Sequence, residues 1–263
     1  MSTPATVAVS GVALEMTERG QGRPLLFLHP GHPSGRLAPT SPVLDHLAKH
    51  ARVLAPTHPG FGSVPAPREL TTIDDLAYLY LDLLDTLKLD GVVVVGVQLG
   101  GWIAAEMAVK STARISKLVL ADAVGIKVGD RETRDIADIY AVTDKTLAEL
   151  VYADPARMAV DTKTLPQEEL VFVARSREST GRYAWSPYMH NPVLRRWLHR
   201  IDRPTHIVWG EADRLVSEDC KRAWAARIPG AVVTRIAGVG HFPDVENPIE
   251  AAALIADFAK KHV

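Results

Sequence analysis

Four consecutive valines at 92–95 run through Gly96-Val97-Gln98-Leu99-Gly100-Gly101 straight into WIAAEMAVK. A short, wholly apolar β-branched run of this kind is a strand buried on both faces, and the Ala- and Met-rich stretch after it is a good helix former. No polar linker separates them, so the chain must reverse within the glycines, which permit a tight turn and a close approach of helix to strand. The stretch therefore demands a strand, a sharp turn and a helix packed back on the sheet, the repeating unit of parallel α/β folds.

The rest of the chain keeps that rhythm. Strand-like segments are expected at 11–17, 24–29, 51–55, 91–96, 115–121, 205–210 and 231–236, with helix-like stretches at 72–88, 99–111, 217–228 and 248–261. Residues 123–203 break the alternation. They contain no convincing strand, are rich in charged and helix-forming residues, and are too many for a plain loop. They read as a helical insertion over the carboxyl edge of the sheet.

Charge excludes some classes of partner. With 30 Lys+Arg against 31 Asp+Glu the net charge is −1, and there is no basic block of the kind that nucleic acids or anionic membranes attract. Cys220 is the single cysteine, so no internal disulfide framework exists, and its helical context (SEDCKRAW) marks it as a bystander. The first twenty residues lack the pattern of a signal peptide, and no apolar run approaches the roughly 18 residues of a membrane span. A soluble, cytoplasmic protein with a small-molecule ligand is expected; oligomeric state is not legible.

In a parallel sheet the strand-to-helix turns gather at the carboxyl edge, where ligands bind. Three such turns carry unusual chemistry. Gln98 stands at the tip of the first, a strand–turn–helix shaped like a nucleophile elbow, although a glycine-rich turn can also serve only to pack helix on strand. Asp213 follows the segment THIVWG, where it could orient a histidine or simply cap a helix. His241 stands in GVGHFP after AVVTRI, where it could be catalytic or structural. Tip residue, Asp and His occur in the order used by the α/β-hydrolase fold.

On these residues the chain resembles the α/β-hydrolase superfamily over essentially its whole length. It is similar to the branch with a helical cap after the sixth strand, which includes small-molecule esterases, carbon–carbon bond hydrolases, haloalkane dehalogenases and epoxide hydrolases. The turns Leu28-His29-Pro30-Gly31 and Pro59-Gly60-Phe61-Gly62-Ser63, and the Gly-His-Phe-Pro segment, match the landmarks of that family. The resemblance implies a mostly parallel sheet flanked by helices. Its core would be residues 1–122 and 204–263, with a cap at 123–203.

The resemblance also assigns roles. His241 would be the general base and Asp213 its partner acid, with Asp122 as a second candidate because some members take the acid from that strand. The backbone N–H groups of Leu99 and Gly31 would form the oxyanion hole. Pro30 departs from the usual His-Gly, and a proline there fixes φ and removes a donor. Gln98 is the larger departure. The family places Ser, Asp or Cys at this position, each able to form a covalent intermediate. A carboxamide cannot, so acyl-enzyme hydrolysis is not available to this chain.

Four readings follow. His241 acts directly on substrate or water; or the protein is a non-catalytic binder with Gln98 as plug or contact; or glutamine has been exchanged for the serine of a hydrolase; or another residue supplies the nucleophile, for which no candidate is evident. In each, the ligand is a small, largely apolar ester or carbonyl compound.

The remaining signals are weaker. His29, His32 and His58 cluster near the same edge and could suggest zinc, but they lie in Pro/Gly loops and the family implies no metal and no cofactor; His29 would be structural. Thr57 stands where relatives carry Asp before the Pro-Gly turn and is read as turn structure. In the insertion, Tyr183, Trp185, Tyr188, Met189 and His190 could line an apolar pocket with polar tips, or pack cap on sheet. Trp102 is expected to pack inward. LRRWLHRIDRP, at 194–204, reads as a solvated amphipathic helix followed by a strap back to the core.

Overall fold

In the computed structural model, which describes residues 5–31, 41–61, 65–159 and 161–261, the valine run lies at the centre of a single sheet. The strands are β1 (Ala5–Val9), β2 (Val12–Arg19), β3 (Pro24–Leu28), β4 (Arg52–Pro56), β5 (Val92–Val97), β6 (Ile115–Ala121), β7 (Thr205–Gly210) and β8 (Val232–Ile236). Their spatial order is β1-β2-β4-β3-β5-β6-β7-β8. β2 pairs antiparallel with β1 and β4, and the other neighbours are parallel.

Strand β1 lies outside the segments expected from sequence. It is a mostly exposed edge strand, so it lacks the apolar run that marks a buried one. Its signal was the Ser10-Gly11 pair, which closes a two-residue hairpin between Val9 and Val12 with φ of 48° and 83°. Positive φ at both central residues is the geometry whose twist matches that of the flanking strands.

The helices are α1 (Pro42–Leu47), α2 (Ile73–Thr86), α3 (Leu99–Lys110), α4 (Asp144–Val151), α5 (Pro155–Met158), α6 (Gln167–Ala184), α7 (Leu194–Trp197), α8 (Glu218–Arg227), α9 (Pro243–Glu246) and α10 (Pro248–Lys260). They cover both faces of the sheet. Leu26, Leu28, Val92, Val94, Leu118 and Leu120 point to the face packed by α2 and α3. Leu25, Phe27, Val93, Val95 and Val119 point to the face packed by α1 and α10. Every residue of β5 and β7 is buried, as parallel strands between helical layers require.

Between β6 and β7, the described residues of 123–203 form helices α4 to α7 and short 3-10 turns, with isolated bridges joining Gly125 to His190 and Ile136 to Val216. The run 194–204, expected as an amphipathic helix followed by a strap, starts helical but the helix is short. It is a single turn, α7, followed by a 3-10 turn at Leu198–Arg200. Arg196 and Arg200 are exposed, while Arg195 donates to the carbonyls of Lys127 and Val128, and Arg200 to that of Val109. Leu194, Leu198 and Ile201 are buried beneath. Among the described residues no helix is long and apolar enough to cross a membrane.

Candidate active site

The turn after β5 is tight because its glycines leave no room for side chains. A Cβ on Gly96 would lie 2.2 Å from the Gly100 carbonyl oxygen, and one on Gly100 would lie 2.1 Å from that of Leu28. Helix α3 therefore sits directly on β5 and β3, and Gln98 at the tip is forced to φ 51° and ψ −107°. A non-glycine residue pays about 1–3 kcal/mol for such a conformation.

The glutamine is nearly enclosed, 3% exposed. Its Oε1 accepts hydrogen bonds from the backbone N–H groups of Gly31 and Leu99, each at 2.8 Å. Both partners are donors, so the atom between them must be the carbonyl oxygen of the amide and not its nitrogen. The two backbone groups expected to form an oxyanion hole thus converge on one oxygen, and that oxygen belongs to the protein itself. Pro30 does not divert the Gly31 N–H.

The loop bearing Gly31 is braced from below. The Nδ1–H of His29 donates to the Pro30 carbonyl (2.7 Å), and its Nε2 accepts from the His58 backbone N–H (2.9 Å). The Nε2–H of His58 donates to the His29 carbonyl (2.9 Å), so its Nδ1 accepts from the Tyr80 hydroxyl. Each ring needs one protonated and one bare nitrogen, so both are neutral. Burial lowers His29 to about pKa 4, and burial together with the neighbouring His29 takes His58 well below the ordinary value. The described part of the histidine cluster is therefore structural; His32 lies outside the described residues. From the segment between β6 and β7, Thr180 Oγ1 on α6 donates to the Gly31 carbonyl at 2.6 Å. Tyr183 donates to the Pro59 carbonyl at 2.9 Å.

At the ends of β6, β7 and β8, side-chain donor atoms of Asp122, Asp213 and His241 lie within 4.8 Å of one another, all buried. His241 Nδ1 is 3.2 Å from Asp213 Oδ2, close but not aligned as a hydrogen bond. Its Nε2, on the far side of the ring from Nδ1, is buried with no hydrogen-bond partner among the described residues. Asp213 is held firmly: Oδ1 accepts from the Leu215 N–H at 2.8 Å, and Lys221 Nζ donates to its backbone carbonyl at 2.7 Å and lies 3.5 Å from Oδ2. Burial pushes the Asp213 carboxyl upward, but His241, Lys221 and the Leu215 N–H together hold it below its ordinary pKa.

Asp122 has the opposite balance. Burial and then the adjacent Asp213 raise it well above the carboxylate range, and its main stabilising contact is the Gly210 N–H at 3.0 Å. With one buried cation at Asp213, a second carboxylate beside it would lack compensation, which favours the protonated form of Asp122 over that of Asp213.

Helix α4 locks both site loops. The His241 N–H donates to the Val151 carbonyl, and the Arg214 N–H to that of Leu150. Glu246 accepts from the N–H groups of Gly240 and Ala153.

Several residues of this site have no place in the sequence reading. Lys221 had a signal: it shares the inward face of α8 with Cys220 and Trp224, where a lysine needs a partner. Tyr80, Thr180 and Asp244 had none, since each owes its role to contacts far away in sequence. Cys220 is buried and raised to about pKa 11 by burial, as suits a bystander thiol. Trp102 packs inward, its Nε1–H donating to Glu106. Thr57 belongs to the turn, its N–H donating to the Glu15 carbonyl.

The aromatic group expected to line a pocket divides. Trp185 is 56% exposed, edge-on to Tyr140 and Tyr188. The Tyr188 hydroxyl accepts from the Ile139 N–H and donates to the Ala137 carbonyl, so its polar tip is occupied in holding that loop. His190 is half-buried with Nδ1 on the Tyr188 carbonyl. Met189 and Tyr183 are buried.

Comparison with known proteins agrees with this architecture. The chain is 24% identical over 272 residues to a 2-hydroxymuconate semialdehyde hydrolase of Pseudomonas sp. (strain CF600), covering 96% of this chain and 92% of that protein. It is 30% identical to a 2-hydroxy-6-oxo-2,4-heptadienoate hydrolase of Pseudomonas putida over 122 residues, 46% of this chain and 44% of the relative. Among solved structures, a meta-cleavage product hydrolase from Pseudomonas fluorescens IP01 superposes with a TM-score of 0.78 at 19% identity, covering 97% of this chain and 96% of that one. The model of the alpha/beta hydrolase family matches residues 25–254. The chain belongs to the alpha/beta hydrolase family.

Proposed function

We propose that the protein is an enzyme acting on a small, largely apolar carbonyl or ester compound, with His241 as a base working directly on substrate or water. The observation that carries this reading is the buried Nε2 of His241, unpartnered among the described residues, beside an ionised Asp213 and at the same sheet edge as an amide whose orientation is fixed. Gln98 Oε1 is spent on the two backbone donors, so the amide offers its N–H₂ end. A donor that can hold a carbonyl oxygen, together with a bare imidazole nitrogen, suits removal of a proton next to that carbonyl. Asp213 would stabilise the imidazolium that forms. Helices α4 to α7 would act as the cap that shapes the pocket. The relatives named for cleavage of dienoate and semialdehyde compounds support a carbonyl-bearing substrate.

A test is deuterium uptake at carbon next to the carbonyl, followed by NMR on a panel of small ketones and diketones in heavy water. The protein should promote exchange, and His241→Ala should slow it by about 10²–10⁴-fold, the usual contribution of a general base. Equal exchange by the folded alanine variant would sink the reading.

A second reading, a ligand-binding pseudo-hydrolase, is favoured by one observation: the donors that would stabilise an oxyanion are already occupied. It predicts saturable binding of the same compounds without exchange. Gln98→Ser separates both from a silenced esterase. Hydrolysis of short-chain chromogenic esters by the serine variant alone would show that hole, base and pocket can still run the ordinary chemistry.

A further inference from the structure

Gln98 presents its own side chain as a substrate would. Its amide oxygen receives two backbone N–H donors at 2.8 Å, the arrangement that stabilises the negative oxygen of a tetrahedral intermediate in acyl transfer. Two such bonds draw electrons from Cδ and make that carbon more electrophilic. The chain also carries the base such chemistry needs, in a buried His241 whose Nε2 has no partner among the described residues and whose other nitrogen faces Asp213 at 3.2 Å. Gln98 is itself pinned, with a strained backbone and an enclosed side chain, so little freedom remains to be lost on the way to a transition state.

We propose that the site hydrolyses its own Gln98 carboxamide, converting it to a carboxylate and releasing ammonia, so that the elbow gains a carboxylate nucleophile after synthesis. The co-reactant is water. His241 Nε2 takes a proton from it as the oxygen adds to Cδ, and the C=O electron pair moves onto Oε1 between the Gly31 and Leu99 N–H groups. On collapse the C=O re-forms and the Cδ–Nε2 bond breaks. The imidazolium returns its proton to the departing nitrogen, which leaves as ammonia. The new carboxylic acid then ionises and hands its proton to that ammonia. No oxidant, reductant or second substrate is needed. The product is a carboxylate at a position from which carboxylates act as covalent nucleophiles.

The inference shares with the proposed function His241 as base; conversion would replace the Gln98 N–H₂ donor by a carboxylate, and the two readings fail on different measurements. The full chain is incubated in water enriched in heavy oxygen, and peptides are mapped by mass spectrometry over time. The expected result is replacement of the amide by an acid carrying one solvent oxygen at Gln98. Gln21 and Gln167, the other glutamines of the chain, are internal controls that should stay unchanged. His241→Ala should slow the conversion by about 10²–10⁴-fold. Should that variant fail to fold, unfolding the wild type in urea supplies the control, because all three glutamines should then react alike and slowly.

Persistence of the amide at Gln98 in the folded protein overturns the proposal. So does conversion at the same rate in a folded His241→Ala protein, or in the urea-unfolded chain. If heavy-water exchange of carbonyl compounds depends on His241 while Gln98 stays intact, the proposed function stands and this inference falls. If Gln98 converts while no compound exchanges, the reverse holds.

Discussion

At residue scale, one oxygen decides what the site can do. Gln98 Oε1 satisfies two buried backbone donors that would otherwise be left without a partner, and it does so from a backbone conformation that a side chain resists. These two contributions oppose each other, and two substitutions separate them. Gln98→Ala keeps the strain and removes the acceptor, leaving the donors unpaired; a loss of about 1–3 kcal/mol is expected. Gln98→Gly removes the same acceptor but relieves the positive φ, so it should be more stable than the alanine variant by about 1 kcal/mol. Urea unfolding of the two variants checks this. An alanine variant as stable as the glycine one would mean that the elbow is not strained in solution. Serine at the same position would be too short to bridge both N–H groups. It would leave the hole open to a substrate oxygen, which is why ester hydrolysis is expected of that variant and not of the parent.

At the scale of elements, the site depends on how closely α3 sits on β3 and β5, and on the brace beneath the Gly31 loop. Gly100→Ala would thrust a methyl group to 2.1 Å from the Leu28 carbonyl oxygen. Either α3 or β3 must move, at about 1–3 kcal/mol for an overpacked contact, and the Leu99 N–H moves with α3. Tyr80→Phe is quieter: it takes away the hydroxyl that satisfies His58 Nδ1 and should cost about 1–3 kcal/mol, since the nitrogen is buried. Chemical denaturation measures both, and a Tyr80→Phe protein as stable as the parent would show that His58 has another donor. These elements also mark how far the sequence can be read. The glycines of VGVQLGG announce their turn because a tight reversal leaves a local pattern. The buried strands do so because they are continuous apolar runs, and the loop bearing Asp213 because it follows such a strand; the loop bearing His241 follows the largely exposed β8 and is marked by its own glycines. The edge strand β1 offers only alternating weak signals. The place of the Gln98 oxygen is legible only in outline, because a resemblance names Gly31 and Leu99 as donors but cannot say what they bind. The Tyr80–His58–His29 chain and the Lys221–Asp213 contact join residues far apart in sequence, and no local pattern encodes them. The exposure of Trp185 is illegible for a related reason: an aromatic residue in a helical segment does not declare which side faces water.

At the scale of the whole molecule, the buried titratable groups set two opposing dependences of stability on pH. His29 has its pKa lowered by burial to about 4, against 6.5 for an exposed histidine, and His58 is lowered in the same sense. Between about pH 4 and 6.5 the unfolded chain binds more protons at these rings than the folded one, so their share of stability grows as pH rises. The acids behind the site act the other way. Asp244, buried and with Oδ1 unpartnered among the described residues, is raised from 3.8 to about 7, chiefly by burial, and Asp122 is raised by burial and by Asp213. Across about pH 4 to 7 the folded protein holds a proton at Asp244 that the unfolded chain has released, and Asp122 acts in the same sense, so stability falls as pH rises. The two trends partly cancel, and a rather flat stability profile in this window is the expected result. Asp244→Asn removes one of the opposing groups. Relative to the parent, its stability should climb steadily from pH 4 to about pH 7, by up to about 4 kcal/mol, and then level off. The slope is the readout, since any constant offset from the new amide is the same at every pH. Urea unfolding at intervals through this range measures it. A difference that is flat or falls would mean that Asp244 is ionised throughout, and that the buried acids behind His241 do not hold their protons near neutrality.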